Sequence, residues 1–165
     1  MKRADRSGRP TIAALVPMRH TSERVPGKNY RFLGNRPLYH HIVESLIACP
    51  HISEVCIDTD SPFIVSDAPA HFPVRIIERP ERLRSGFEPM NNILLYDVSQ
   101  INADFYLQTH STNPLLKAGT ISRAIETFLS PGGHDSLFGV SRLQTRLYDA
   151  EGRPLNHDPH VLERT

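Results

Sequence analysis

The chain has no tryptophan, only two cysteines, almost no net charge and no apolar run long enough to span a bilayer. Each absence excludes something. Cys49 and Cys56 lie seven positions apart, a spacing that fits neither a Cys-x-x-Cys redox pair nor a zinc pair, so both are expected as reduced, buried thiols. Nineteen Lys and Arg against eighteen Asp and Glu leave a formal charge of +1, which supplies no overall field for a nucleic acid backbone. Any anion must then be held by a local cluster. The apolar run 12–16 is five residues long and ends at Pro17, too short for a signal-peptide core or a membrane span. The expectation is a cytoplasmic protein with neither nucleic acid nor membrane as partner.

What is present is ordinary for a soluble domain. Of 165 residues, 39% are hydrophobic and 22% charged, enough for one domain over 1–165 with a real core, its first ten residues flexible. The fourteen prolines are scattered, so they mark the ends of elements and not a linker. The run 12–16 reads as a strand buried on both faces. Pro37 suits the first position of a helix whose apolar residues Leu38, Ile42 and Leu46 recur at helical spacing until Pro50. Strands follow at 55–57, 74–77, 105–107 and 136–140. Helices are expected at 61–70, broken by Pro69, at 91–101, and at 120–129, where Ile121, Ala124, Ile125 and Phe128 share one face. This alternation predicts an α/β, doubly wound, mostly parallel sheet, in which ligands sit beyond the C-terminal ends of the strands.

The polar loop after the first strand is the strongest chemical signal. Residues 16–29 read VPMRHTSERVPGKN. A phosphate-binding P-loop needs Gly-x-x-x-x-Gly-Lys and then Ser or Thr, but Ser22 stands at the first glycine and Asn29 follows Lys28, so that motif is absent. Two fixed cations, a hydroxyl and a flexible glycine remain. Arg19 can fork across two phosphate oxygens, Lys28 can act as a point charge, and Gly27 lets backbone approach closely. On charge alone a solvated basic turn is the better reading of these residues.

Residues 14–46, ALVPMRHTSERVPGKNYRFLGNRPLYHHIVESL, resemble the N-terminal signature of the sugar nucleotidyltransferases, most closely the acylneuraminate cytidylyltransferases or CMP-sialic acid synthetases. In that family a strand leads into Pro-Ala-Arg, a Ser, Pro-x-Lys-Asn, a Leu-Gly-x-x-Pro-Leu segment and a helix. Met18 replaces the alanine. Downstream, Asp58-Thr59-Asp60 resembles the family's Ser-Thr-Asp, Arg79-Pro80 its Arg-Pro pair, and the segment Leu107-Gln108-Thr109-His110-Ser111 its Leu-Gln-Pro-Thr-Ser. The resemblance implies a Rossmann-like nucleotidyltransferase fold and transfer of CMP from CTP to an acidic α-keto sugar such as sialic acid. It further implies a homodimer, and Mg²⁺ held by a later Asp-x-Asp segment that is expected beyond residue 165. By the same carry-over, Arg19 and Lys28 are the catalytic candidates. Ser22 and Asn29 join them around the nucleotide, and Arg79 and Gln108 line the base or sugar pocket. Where the family has a serine-containing stretch after its Arg-Pro pair, this chain offers Asn91 or Asn92 to read the base, and His110, beside Gln108, is a further candidate for the sugar. Ser22-Glu23-Arg24 departs from the family's Ser-Lys-Gly, and the loop around His110 is altered, so the acceptor sugar stays open. Another nucleotide or sugar on the same fold, or a non-catalytic nucleotide-binding module, are the alternative readings.

Other constellations are weaker. His40 and His41 are adjacent on a helix and point about 100° apart, so they do not share a metal. His157 and His160 bracket Pro159, with Asp158 nearby, as a zinc-like cluster, though surface histidines are the expectation. Asp58 and Asp60 at a strand end suit either Mg²⁺ or the capping of the next helix, with capping the expectation.

Overall fold

The computed structural model describes residues 9–132, 134–142 and 144–161, so the expected flexibility of residues 1–8 lies outside the described residues. The chain divides into a unit Met1–Gly132 and a smaller unit Gly133–Thr165. In the larger unit, β1 (Ile12–Met18) is followed by a hairpin of two short strands, β2 (Phe32–Leu33) and β3 (Arg36–Pro37). Then come α1 (Leu38–Ile47), β4 (Glu54–Thr59), α2 (Pro62–His71), β5 (Arg75–Glu78), α3 (Met90–Gln100), β6 (Phe105–Gln108) and α4 (Ala118–Leu129). Four strands form one parallel sheet in the order β5-β4-β1-β6.

β1 explains its own continuous apolar sequence. Successive side chains of a strand point to opposite faces. Ile12, Ala14, Val16 and Met18 enter a core with Tyr39, Ile42 and Leu46 of α1, Ile64 of α2 and Ile121 and Ile125 of α4. Ala13 and Leu15 enter a second core with Cys56, Ile77 and Ile101, against which Leu94 and Val98 of α3 pack. Helices thus cover both faces of the strand, which is the doubly wound arrangement. The expected faces of α1 and α4 are the buried ones, and both cysteines are buried free thiols.

Several local expectations are corrected. Pro37 is the residue before α1, in an extended conformation, because it already pairs with Phe32 in the β2–β3 hairpin. α2 runs through Pro69 to His71 and ends there, so the proline removes a single helical N–H close to the terminus. Neither Asp58 nor Asp60 caps α2. Ser61 does, its hydroxyl accepting from the Ile64 N–H. The strand expected at 136–140 is absent: a strand exists only as part of a ladder, and no described residue pairs with this segment, leaving Phe138 and Val140 exposed.

The smaller unit contains a turn built on Gly152, whose φ of 79° is readily adopted by glycine. Tyr148 and Pro154 pair antiparallel across it, and Asp149 ties down Arg153. His157 Nε2 lies 3.0 Å from the Tyr148 hydroxyl, and among the described residues His157 and His160 belong to no metal-competent cluster.

Candidate active site

The parallel sheet delivers the C-terminal ends of β1 and β6 to the same edge, since Leu15 of β1 is in register with Gln108 of β6. A cleft of about 230 Å³ opens there. Arg19, Ser22, Lys28, Asn29, Arg79 and His110 all line it, so six residues scattered over some ninety positions meet in one place. Segment 85–90, leading into α3, supplies another wall through Ser85, Gly86 and Glu88.

The loop that carries the cations is held in one shape by its own chemistry. Gly27 sits at φ 65°, and a Cβ there would lie 2.7 Å from the Tyr30 ring. Its carbonyl accepts from the N–H groups of Tyr30 and Arg31, which winds residues 28–30 into a single tight turn and fixes the base of Lys28. The His20 N–H donates to Asp60 Oδ1 at 2.7 Å, and His20 Nδ1 lies 2.9 Å from the Ser61 hydroxyl, anchoring the loop to the end of β4. His20 also stacks on Tyr30. Arg19 extends toward the opposite wall, where a Cβ on Gly86 would come within 3.0 Å of its guanidinium.

Asn29 is buried and fully engaged. Its Nδ2 donates to the Arg19 carbonyl at 2.7 Å, and its Oδ1 accepts from the Ser111 hydroxyl, also at 2.7 Å. The side chain is therefore a strut between the two loops of the cleft, tying the Arg19 backbone to the Ser111 side chain. Asn29→Ala should destabilise the protein by about 1–3 kcal/mol, the cost of leaving the buried partners unmatched. Urea unfolding checks this, and an unchanged midpoint would remove the strut from the account.

Arg79 is the second buried polar element, at 2% exposure. It forms an ion pair with Asp58, which is 1% exposed, and Asp97 of α3 lies beside them at 1%. Among the described residues, Oδ2 of Asp58 and both oxygens of Asp97 have no hydrogen-bond partner. Burial, reinforced by the Asp58 carboxylate, pushes Asp97 up to about 8. Asp58 is also raised, by burial, against the pull of Asp97 and Arg79. Two buried carboxyls thus stand around one buried guanidinium, whose residue lines the cleft. Asp97 escaped the sequence reading. The signal was there: Asp97 stands one helical turn after the apolar Ile93, and an acid on an apolar face needs a partner.

Two expected site residues stand elsewhere. Asn91 is exposed on α3 and does not line the cleft, because the helical phase turns Met90 and Ile93 toward it instead. Gln108 lies at the correct edge of the sheet but is exposed, its Nε2 donating to the Thr109 carbonyl; His110, two residues on, reaches the cleft. For a divalent cation the cleft offers one carboxylate among the described residues, Glu88, which already accepts from Asn92. Asp58 is taken by Arg79 and Asp60 by His20. These residues do not make a magnesium site on their own.

The profile of the cytidylyltransferase family matches residues 13–163. The chain belongs to the cytidylyltransferase family. It is 30% identical over 120 residues to the CMP-N,N'-diacetyllegionaminic acid synthase of Legionella pneumophila, covering 70% of this chain and 52% of that enzyme. It is 24% identical over 137 residues to the 3-deoxy-manno-octulosonate cytidylyltransferase of Escherichia coli, covering 83% of this chain and 52% of that one. The chain thus spans about half the length of these relatives. Among solved structures, a CMP:2-keto-3-deoxy-manno-octonic acid synthetase complexed with CTP superposes with a TM-score of 0.63 at 21% identity, over 72% of this chain and 47% of that one. That likeness establishes the α/β nucleotidyltransferase fold. No described helix of this cytidylyltransferase-family chain is long and apolar enough to cross a membrane.

Proposed function

We propose that this protein transfers CMP from CTP to an acidic α-keto sugar and releases pyrophosphate. The observation that carries the reading is the convergence of Arg19, Ser22 and Lys28 on one cleft with Arg79 and His110, in a chain of the cytidylyltransferase family. A hydroxyl of the sugar attacks the α-phosphorus, a new P–O bond forms, the bond to the β-phosphate breaks, and the hydroxyl proton passes to solvent. Negative charge gathers on the leaving pyrophosphate. Lys28 and Arg19 supply fixed positive charge where that charge develops, and a loop already pinned by Gly27, Asn29 and His20 needs little reorganisation to do so. Ser22 contributes a hydroxyl to the phosphates.

The acceptor is a nonulosonic or octulosonic acid. Similar relatives of both kinds support the class and not one member, so sialic acid is one candidate among several. His110, exposed at the mouth of the cleft, is the residue we assign to sugar selection. Thermal unfolding with CTP, UTP, ATP and GTP in turn tests the nucleotide. A ligand at a hundred times its dissociation constant stabilises the folded state by about 2.7 kcal/mol, so CTP should raise Tm by several degrees while purine nucleotides leave it nearly unchanged. Equal shifts with all four would reduce the cleft to a general polyanion site.

A further inference from the structure

Away from the cleft, two helices bring three metal-competent side chains together. His40 stands in the first turn of α1, and Asp67 and His71 are one turn apart on α2, so both face the same way. The donor atoms all lie within 4.8 Å of one another. His40 Nε2 is 2.7 Å from Asp67 Oδ2, and His71 Nδ1 is 3.4 Å from Asp67 Oδ1. None of the three lines the nucleotide cleft.

Two of the three groups are already fixed. The His40 ring is buried, held edge-on by Tyr39 at 4.6 Å and by Phe72 at 4.8 Å between centroids. Asp67 is oriented by the Tyr39 hydroxyl, which donates to it. Burial opposes ionisation of Asp67, but the hydrogen bonds from Tyr39 and His40 outweigh it and hold the carboxyl below its usual range. His71 is exposed and is the adjustable arm; its Nδ1 now lies 2.8 Å from the Asp67 carbonyl. A single ion pair between helices would need one histidine. Here two imidazoles meet the two oxygens of one carboxylate, and their rings lie 5.1 Å apart.

We propose that His40, Asp67 and His71 form a zinc site that joins α1 to α2. Two imidazole nitrogens and one carboxylate oxygen are a zinc donor set, with water completing a tetrahedron. Bonds of about 2.0–2.1 Å place tetrahedral donors roughly 3.3 Å apart, between the spacings observed. Zn²⁺ would take the place of the proton that His40 shares with Asp67 and of the N–H that His71 directs at the Asp67 carbonyl. Each imidazole stays neutral by carrying its proton on the other nitrogen. Mg²⁺ prefers oxygen donors and should not compete. The site is independent of the cytidylyltransferase reading.

The test is calorimetric titration of the full chain, stripped with EDTA, with Zn²⁺ and separately with Mg²⁺, alongside Tm. The expected result is one Zn²⁺ per chain, a higher Tm with Zn²⁺ and no response to Mg²⁺. His71→Ala should keep the metal-free Tm, because the residue is exposed, and lose at least about tenfold in zinc affinity. His71→Gln should do the same and serves if the alanine variant is poorly soluble. His157→Ala should bind as the wild type does. Absence of a zinc response in the wild type, an equal response to Mg²⁺, or undiminished binding by both His71 variants would each overturn the proposal.

Discussion

Lys28→Ala should slow pyrophosphate release from CTP, assayed with Mg²⁺ and a panel of octulosonic and nonulosonic acids, by about a hundredfold or more. The magnitude is that expected when a preorganised charge is taken away from the place where a transition state builds up negative charge. The fold should be untouched, because the Lys28 side chain has no hydrogen bond or ion pair to a described residue and its backbone turn is set by Gly27 and Tyr30. Unchanged far-UV circular dichroism with a lost rate is therefore the signature. Wild-type rates in the variant would remove the loop from the chemistry. Arg19→Lys should also be slowed, since a point charge cannot reproduce a planar fork, and the departure would fall on kcat if Arg19 acts on the leaving group rather than on CTP binding alone.

The largest effect on stability should come from Asp58→Ala. It leaves the Arg79 guanidinium at 2% exposure without its counter-charge, and breaking a buried pair from one side costs about 3–5 kcal/mol. Much of the stability of a domain this size would be lost. The neighbouring Asp97→Asn should behave in the opposite way, because an amide can donate to Asp58 as the protonated carboxyl does. The pH dependence separates the two. The folded Asp97 titrates near 8 and the unfolded one near the ordinary 3.8, so the folded state holds the extra proton between them. Its contribution to stability is complete below the unfolded value and is lost as pH rises toward and through 8. Tm of the wild type should fall over pH 6–9 by more than that of Asp97→Asn. Parallel pH profiles for the two proteins would show that Asp97 is not protonated in the fold.

The fold could be read from the sequence where one periodicity dominates. β1 announces itself because both its faces are covered, and α4 because Ile121 and Ile125 repeat at helical spacing. Residues 136–140 have the composition of a strand but lack a ladder, and composition cannot report a missing neighbour. The cations of the site were legible because they lie close together in one loop. Their supports were not. Ser111 is 82 positions from Asn29, and Asp97 is 39 from Asp58, so only the folded chain brings them together. Asn91 was misplaced for a related reason: a one-residue difference on a helix turns a side chain by about 100°, and the cleft faces Met90 and Ile93.

Among the described residues β6 is bonded to the sheet along one side, through β1, and it arrives late in the chain. Ile12 meets Phe105 across 93 positions, while Ala13 meets Glu54 across 41. Closing the longer loop carries an entropy penalty that grows with the logarithm of its length, about 0.6 kcal/mol for each doubling, and nonlocal parallel pairing is slow. The β1–β4 pair is therefore expected to form first, with β6 docking onto that platform. The loop bearing Lys28 and Arg19 belongs to that platform, while His110 and Ser111 travel with the latecomer. On that order one wall of the cleft would stand before the other, and the hydrogen bond between Ser111 and Asn29 is the seam along which the two meet.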